Sequence, residues 1–153
     1  MSDDLTTWLR KQITARRDVA IAALDGTDGH WWRREAGAFE ERTREPVGNL
    51  FAGEPCFDED GDNMGGSDVV VYDEGSPSDA RFEHIAANDP RDTIARCDAE
   101  LAVLDLHSIN DAGLYEKSPD CAHCAVESYP CRTVRMIGSG YRFRDGYREE
   151  WKL

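Results

Sequence analysis

Three cysteines near the C-terminus constrain this chain more than any other feature of its sequence. Cys121, Cys124 and Cys131 follow the spacing Cys-x2-Cys-x6-Cys. Two thiolates separated by two residues can bind one zinc ion from a tight turn, and the third adds a further ligand. The chain has five cysteines, an odd number that does not complete a framework of intramolecular disulfides. The cluster therefore predicts a zinc site.

A tetrahedral zinc site needs a fourth ligand, and His107 is the favoured candidate. It lies at the C-terminal end of a long predicted helix, from which its ring can reach the cysteines across a turn-rich loop. Cys131 lies at the predicted start of a short helix, where the positive end of the helix dipole favours a thiolate. Alternatives for the fourth position are Cys56, His30, Asp120 and His123.

The residues around the cluster argue against two other kinds of chemistry. A redox-active Cys-x-x-Cys pair usually opens a helix after a strand, and no such unit precedes Cys121. A zinc deaminase combines His-x-Glu with Pro-Cys-x-x-Cys, but no histidine here is followed two places on by glutamate, and Asp120 separates Pro119 from Cys121. The sequence also lacks a phosphate-binding glycine loop and a Gly-x-Ser-x-Gly motif. We therefore predict a closed, structural zinc site in a protein that is not an enzyme.

Apolar residues at helical spacing predict two long helices. The first covers residues 4–25, and the second covers residues 90–109, where Asp89 and Pro90 form a strong start signal. The two apolar stripes are expected to pack together, with Cys97 as a small core residue. A short helix is also predicted over Asp79–Ala87 and another from Pro130–Cys131 to the glycines at 138–140.

Short apolar runs within residues 30–75 predict a small antiparallel sheet. The runs are Trp31-Trp32, Val47–Phe51 and Val69–Tyr72, separated by segments rich in Gly, Pro, Asp and Glu. The expected fold class is α+β, in a single domain spanning residues 1–153. It comprises the two packed long helices, this sheet, and a zinc-stapled C-terminal subdomain over residues 107–153.

The acidic stretch at residues 58–62 resembles a calcium-binding loop only in part. Its oxygen-bearing side chains alternate as in such a loop, but Asn63 occupies the position of the sharp-turn glycine. Val69 occupies the position of the bidentate glutamate. We therefore favour a solvated loop over a calcium site.

Charge is distributed unevenly along the chain. The formal net charge is −13, which disfavours contact with nucleic acid and suits a basic protein partner. Residues 131–153 nevertheless hold six basic and three acidic side chains interleaved with aromatic ones. This tail predicts either an internal packing role, which we favour, or a small nucleic-acid contact.

No apolar stretch is long enough to span a membrane, and the N-terminus lacks the pattern of an export signal, so we expect a cytoplasmic protein.

Four motifs together resemble a family of small uncharacterised proteins from actinobacteria and their bacteriophages. In chain order they are Asp-Asp-Leu-x-x-Trp-Leu at 3–9, His-Ile-Ala-x-x-Asp-Pro at 84–90, the cysteine cluster with Pro130-Cys131, and Gly-Tyr-Arg-Glu-Glu-Trp at 146–151. The resemblance covers both ends and the second long helix, while residues 33–66 diverge. It implies a phage or prophage protein and supports pairing His107 with the cysteines, because relatives with the cluster tend to carry a histidine at that helix end. It implies no activity, since the family has none assigned.

These observations lead to a functional expectation with two alternatives. We expect a small, non-enzymatic, zinc-stabilised interaction protein, in the form of a phage accessory factor that binds a basic host protein. The first alternative is a zinc-dependent nucleic-acid-binding protein that uses the arginines and aromatic residues of the tail. The second, which we favour less, is a zinc or cysteine enzyme.

Overall fold

The computed structural model describes residues 4–34, 49–53, 59, 68–71, 79–110, 120–124 and 129–153. The described helices are α1 (Leu5–Ala22), α2 (Asp79–Ala86), α3 (Pro90–Leu106) and α4 (Arg132–Gly140), followed by a 3-10 turn at Glu149–Trp151. The described strands are β1 (Trp31–Arg34), β2 (Asn49–Ala52), β3 (Asp68–Val71), β4 (Ile109–Asn110) and β5 (Asp120–Cys121). The predicted α+β class is confirmed.

The chain divides into two compact units. The terminal unit consists of Met1–Asp18 together with Arg96–Leu153, and the central unit consists of Val19–Ala95. The single domain over residues 1–153 stays a prediction. None of the helices that the structure describes is long and apolar enough to cross a membrane.

Helices α1 and α3 pack together within the terminal unit, as their apolar stripes predict. Ion pairs of 2.6 Å join Arg10 to Asp105 and Arg17 to Asp98. A step of seven residues forward along α1 therefore corresponds to a step of seven residues backward along α3. The two helices are therefore antiparallel. Between them lies a core that includes the fully buried Cys97; its other members from these helices are Leu5, Trp8, Leu9, Ile13 and Leu104.

Both long helices end earlier than their apolar patterns predict. The helix predicted over 4–25 ends at Ala22, and Asp25 and Gly26 then adopt positive φ angles of 43° and 82°. Left-handed backbone of this kind terminates helices. The helix predicted over 90–109 ends at Leu106 because Ile109 pairs with Cys121 in a two-stranded antiparallel ladder. This early end places His107 where the helix turns into β4.

The central unit contains the predicted antiparallel sheet, with strand order β1-β2-β3. Trp31 pairs with Ala52, and Leu50 pairs with Val71, with a register shift between Leu50 and Phe51. The N-cap predicted for α3 is also present, because the Asp89 carboxylate accepts a 2.7 Å hydrogen bond from the Asp92 amide. Apart from residue 59, the acidic stretch with its candidate calcium site lies outside the described residues, as does Cys56.

Candidate metal centre

The four favoured ligands meet at one point in the terminal unit. The ligand atoms of His107, Cys121, Cys124 and Cys131 all lie within 4.8 Å of one another. His107 Nδ1 is 3.5 Å from each of the three cysteine sulfurs. The sequence thus identified the residues that converge here.

Three separate elements bring these side chains together. His107 still belongs to the hydrogen-bond ladder of α3, since its amide donates to the Val103 carbonyl at 2.9 Å. Pairing of β4 with β5 then positions Cys121 beside the end of α3, and the Ala122 amide donates to the Ser108 carbonyl at 2.8 Å. Cys131 is the N-cap residue of α4 and its side chain makes no capping bond, which leaves the sulfur free to face the other ligands.

The three equal nitrogen–sulfur distances match a tetrahedral metal ion. Zinc lies about 2.3 Å from thiolate sulfur and about 2.0–2.1 Å from imidazole nitrogen, so a tetrahedral angle separates nitrogen and sulfur by about 3.6 Å. The observed value is 3.5 Å at all three cysteines. A donor set of three thiolates and one imidazole is one that zinc uses in closed structural sites. The residues present therefore fit zinc in both geometry and chemistry.

A bound cation would allow the three thiols of the cluster to ionise together. Burial acts to raise the pKa of Cys121, but backbone N–H groups of Cys124 and His123 donate to its sulfur and, with the neighbouring thiols, lower that pKa overall. The pKa of Cys124 is instead raised to about 12, first by burial and then by its contacts with Cys121 and Cys131. Adjacent sulfurs cannot all carry negative charge unless a positive ion compensates them.

The centre is part of the hydrophobic core of the terminal unit. Cys121 and Cys131 are fully buried and belong to the core cluster, His107 is buried, and Cys124 is half-buried at its edge. Tyr129 and Thr6 share a hydrogen bond between their hydroxyl groups, which ties the segment before Cys131 to α1. A metal ion here would link the end of α3, β5 and the start of α4.

The alternative fourth ligands that the structure describes, Asp120, His123 and His30, are not part of the cluster. Asp120 is buried and His123 is exposed, and neither belongs to the group of converging ligand atoms. The His123 ring packs edge-on against His107, with centroids 4.8 Å apart. His30 lies in the central unit, where its Nδ1 is 3.2 Å from an Asp89 carboxylate oxygen.

The aromatic tail is mostly internal, in line with the favoured interpretation. Trp151 is buried, and its ring centroid lies 5.2 Å from that of Trp8 and 5.8 Å from that of Tyr147. Tyr141 is also buried, and its hydroxyl donates to Glu100. Phe143 differs, because 86% of its side chain is exposed. The sequence pattern places these four aromatic residues close together in the tail but does not indicate which of them faces solvent.

A family model described as a family of unknown function (DUF6221) matches residues 2–153. The match includes residues 33–66, the segment that looked divergent. No curated protein and no solved structure matches the chain.

Proposed function

The chain belongs to the family of unknown function DUF6221, and we propose that it is a non-enzymatic interaction protein whose terminal unit is held together by a structural zinc ion. The observation that carries the proposal is the set of three equal 3.5 Å distances from His107 Nδ1 to the cysteine sulfurs. Bound zinc would neutralise the thiolates and fix the elements that carry them. Such a site contributes directly to the free energy of folding.

The donor count favours a structural over a catalytic role. A catalytic zinc keeps one coordination position for water or substrate, whereas four protein donors complete a tetrahedral shell. Solvent reaches these four ligands at the half-buried Cys124, because the other three are buried: His107, Cys121 and Cys131. This arrangement supports a metal that stabilises the fold without taking part in a reaction.

Metal analysis tests the structural zinc. Native mass spectrometry and elemental analysis of the purified protein should give one zinc per chain, and X-ray absorption should give three sulfur and one nitrogen neighbours. Cys131→Ser should lose the zinc, whereas Cys97→Ala, which changes a buried cysteine outside the cluster, should keep it. A water-derived oxygen in the metal shell would contradict the structural role, and a metal-free or iron-loaded wild-type protein would contradict the zinc assignment.

The interaction role is supported by charge, and the sequence lacks the zinc-deaminase pattern, a phosphate-binding glycine loop and a Gly-x-Ser-x-Gly motif. A net charge of −13 complements a basic protein surface and steers encounter with it. The resemblance of its sequence motifs to those of small actinobacterial and phage proteins, which the family match does not itself address, is the reason for proposing an accessory factor that acts on a host protein in the host cytoplasm. We propose this as the biological setting of the zinc-stabilised fold.

Capture across a salt series tests this part of the proposal. The tagged, zinc-loaded protein is incubated with extract of an actinobacterial host, and the bound proteins are identified at increasing salt concentration. A basic host protein whose recovery falls as salt rises is the expected result, because screening weakens attraction between opposite charges. Failure to bind any host protein, or binding that is indifferent to salt, would contradict it.

Nucleic-acid binding by the C-terminal tail has weaker support. Single-stranded nucleic acids usually stack on several aromatic side chains along a basic groove. Here Tyr141 and Trp151 are buried, and Arg148 and Lys152 lie near Glu150 and Glu149 at 3.5 Å and 3.3 Å. A gel shift at low salt that disappears when Arg142, Arg144 and Arg148 are changed to Glu would restore this alternative.

A further inference from the structure

Phe143 has the most exposed large apolar side chain among the described residues, at 86%. Arg142 and Arg144, on either side of it, are exposed as well. A phenylalanine ring left in water forgoes the stabilisation that burial would provide. Arginine and aromatic residues are also enriched at the energetic centres of protein interfaces. The three residues therefore have the composition of a contact site.

The backbone around Phe143 is held in place from both sides. Two successive turns form the 141–147 loop: the Arg144 amide donates to the Tyr141 carbonyl at 2.9 Å, and the Tyr147 amide donates to the Arg144 carbonyl at 3.2 Å. The Trp8 indole N–H donates to the Asp145 carbonyl at 3.3 Å. A loop fixed in this way loses little conformational freedom when it binds a partner.

The two arginines of the loop have no acidic partner within the part of the chain that the structure describes. The Arg142 guanidinium donates to the Ser139 carbonyl at 3.3 Å and lies 4.5 Å from the centroid of the Phe143 ring. Arg148 and Lys152, farther along the tail, are in contrast paired with glutamates. The loop thus presents two cations without an ion pair beside an exposed ring, and with the one exposed carboxylate of Asp145 it keeps a net positive charge.

We propose that the 141–147 loop is the contact site for a short acidic peptide segment of a protein partner. Carboxylates of that segment would pair with Arg142 and Arg144, and an apolar side chain would cover the face of Phe143 that Arg142 leaves open. The inference rests on the proposed function, because it names the surface through which an interaction protein of this kind engages its partner.

The observations favour a peptide over a nucleic acid. The loop provides one ring, already covered by a guanidinium on one side, where a nucleic-acid strand would use several stacking surfaces. The net charge of −13 repels a strand with a charge on every nucleotide more strongly than it repels a segment with few carboxylates. A partner that is basic overall is attracted to the acidic chain as a whole, and one acidic segment on that partner is attracted to the arginines of the loop.

Amide NMR of the zinc-loaded, isotope-labelled protein tests the proposal directly. The probe is a short synthetic peptide in which glutamate and leucine alternate; the comparison probes are a peptide of alternating lysine and leucine and a single-stranded oligothymidine. The expected result is a set of shift changes centred on residues 142–144 with the acidic peptide alone. No change there with this peptide, or a response to the oligothymidine instead, overturns the proposal.

Matched variants separate a specific site from general attraction. Phe143→Ala and the double variant Arg142→Glu with Arg144→Glu should each weaken the affinity about tenfold or more. Val19→Ala removes another exposed apolar side chain and Arg81→Glu another exposed arginine, and both should leave the affinity unchanged. Equal affinity in wild type and Phe143→Ala would overturn the proposal. Zinc content is measured on every sample, so failure of the metal centre and failure of the contact site give different results.

Discussion

At the scale of single residues, His107 is the ligand whose replacement is most informative. Its Nδ1 is the only nitrogen in a cluster of three sulfurs. His107→Ala leaves three thiolates around the ion and should weaken zinc binding by at least about tenfold, by analogy with the effect of losing an outer-shell partner. His107→Cys offers a fourth thiolate of a type that zinc accepts and should recover part of the affinity. Competition with a chelator measures both.

Two results would argue against His107 as a ligand. One is unchanged zinc affinity in His107→Ala; the other is loss of zinc in His123→Ala, since that exposed neighbour packs against His107 but lies outside the group of ligand atoms. His123→Ala is therefore the control, and it should retain one zinc per chain.

The raised pKa of Cys124 predicts that zinc affinity depends on pH. With its pKa at about 12, Cys124 holds its proton throughout the neutral range when no metal is bound, and zinc must displace that proton. Zinc affinity should therefore increase with pH by about tenfold per unit for each proton released, and the contribution of Cys124 should continue above pH 9, where an ordinary thiol has lost its proton. Chelator competition at several pH values, with proton release followed in weakly buffered solution, measures this. A flat profile would show that the thiols are already ionised without metal.

At the scale of elements, the close approach of the 141–147 loop to α1 gives a paired glycine test. Gly146 has a φ of 84°, and a Cβ there would lie 3.0 Å from Trp8 Nε1. Gly146→Ala should therefore lower the free energy of unfolding by about 1–2 kcal/mol. Gly140, the last residue of α4, has no atom within 4 Å of a Cβ, so Gly140→Ala should be neutral or stabilise by up to about 1 kcal/mol.

Chemical denaturation at a fixed concentration of free zinc measures both glycine variants. Holding zinc constant matters because a ligand that binds only the folded state adds to apparent stability. Equal effects of the two substitutions would mean that the strain and the contact with Trp8 do not constrain Gly146.

Element types were predictable where local chemistry alone determines them. Asp89 and Pro90 specify the start of α3, and the β-branched run before Tyr72 specifies β3, because capping and strand preferences act between near neighbours. The ends of α1 and α3 were predicted wrongly. The apolar pattern runs past Leu106, but Ile109 pairs with Cys121, which is distant in sequence, and such pairing leaves no trace in the local pattern.

The candidate site was more predictable than the surface. Cysteine spacing restricts which sulfur atoms can reach one ion, and only a few residues, among them a histidine at a helix end, can supply the fourth ligand. The choice of His107 over His123 or His30 depends on how β4 and β5 pair and on which ring faces the cluster. The exposure of Phe143 depends on how Tyr147 and Trp151 pack against Trp8 and on how Tyr141 reaches Glu100 of α3. The sequence does not encode these contacts locally.

At the scale of the whole molecule, zinc removal should affect the two units differently. All four candidate ligands belong to the terminal unit, and none belongs to the central unit. Chelation should therefore accelerate amide hydrogen exchange at β5 and α4 by more than at the sheet formed by β1, β2 and β3. Exchange followed by mass spectrometry, with zinc added back as the control, measures this. An equal increase in both units would indicate that the metal stabilises the chain as one cooperative body.

The pairing of Trp8 with the 141–147 loop also determines when the terminal unit can form during synthesis. The hydrogen bond from Trp8 to Asp145 joins residues 137 positions apart. At 5–20 residues per second, a ribosome needs roughly 7–27 s to add that many residues. For that time the partners that cover Trp8 are absent, so this ring is available to chaperones even after α3 has been made. The fold thus couples the protection of Trp8 to the translation of the 141–147 loop.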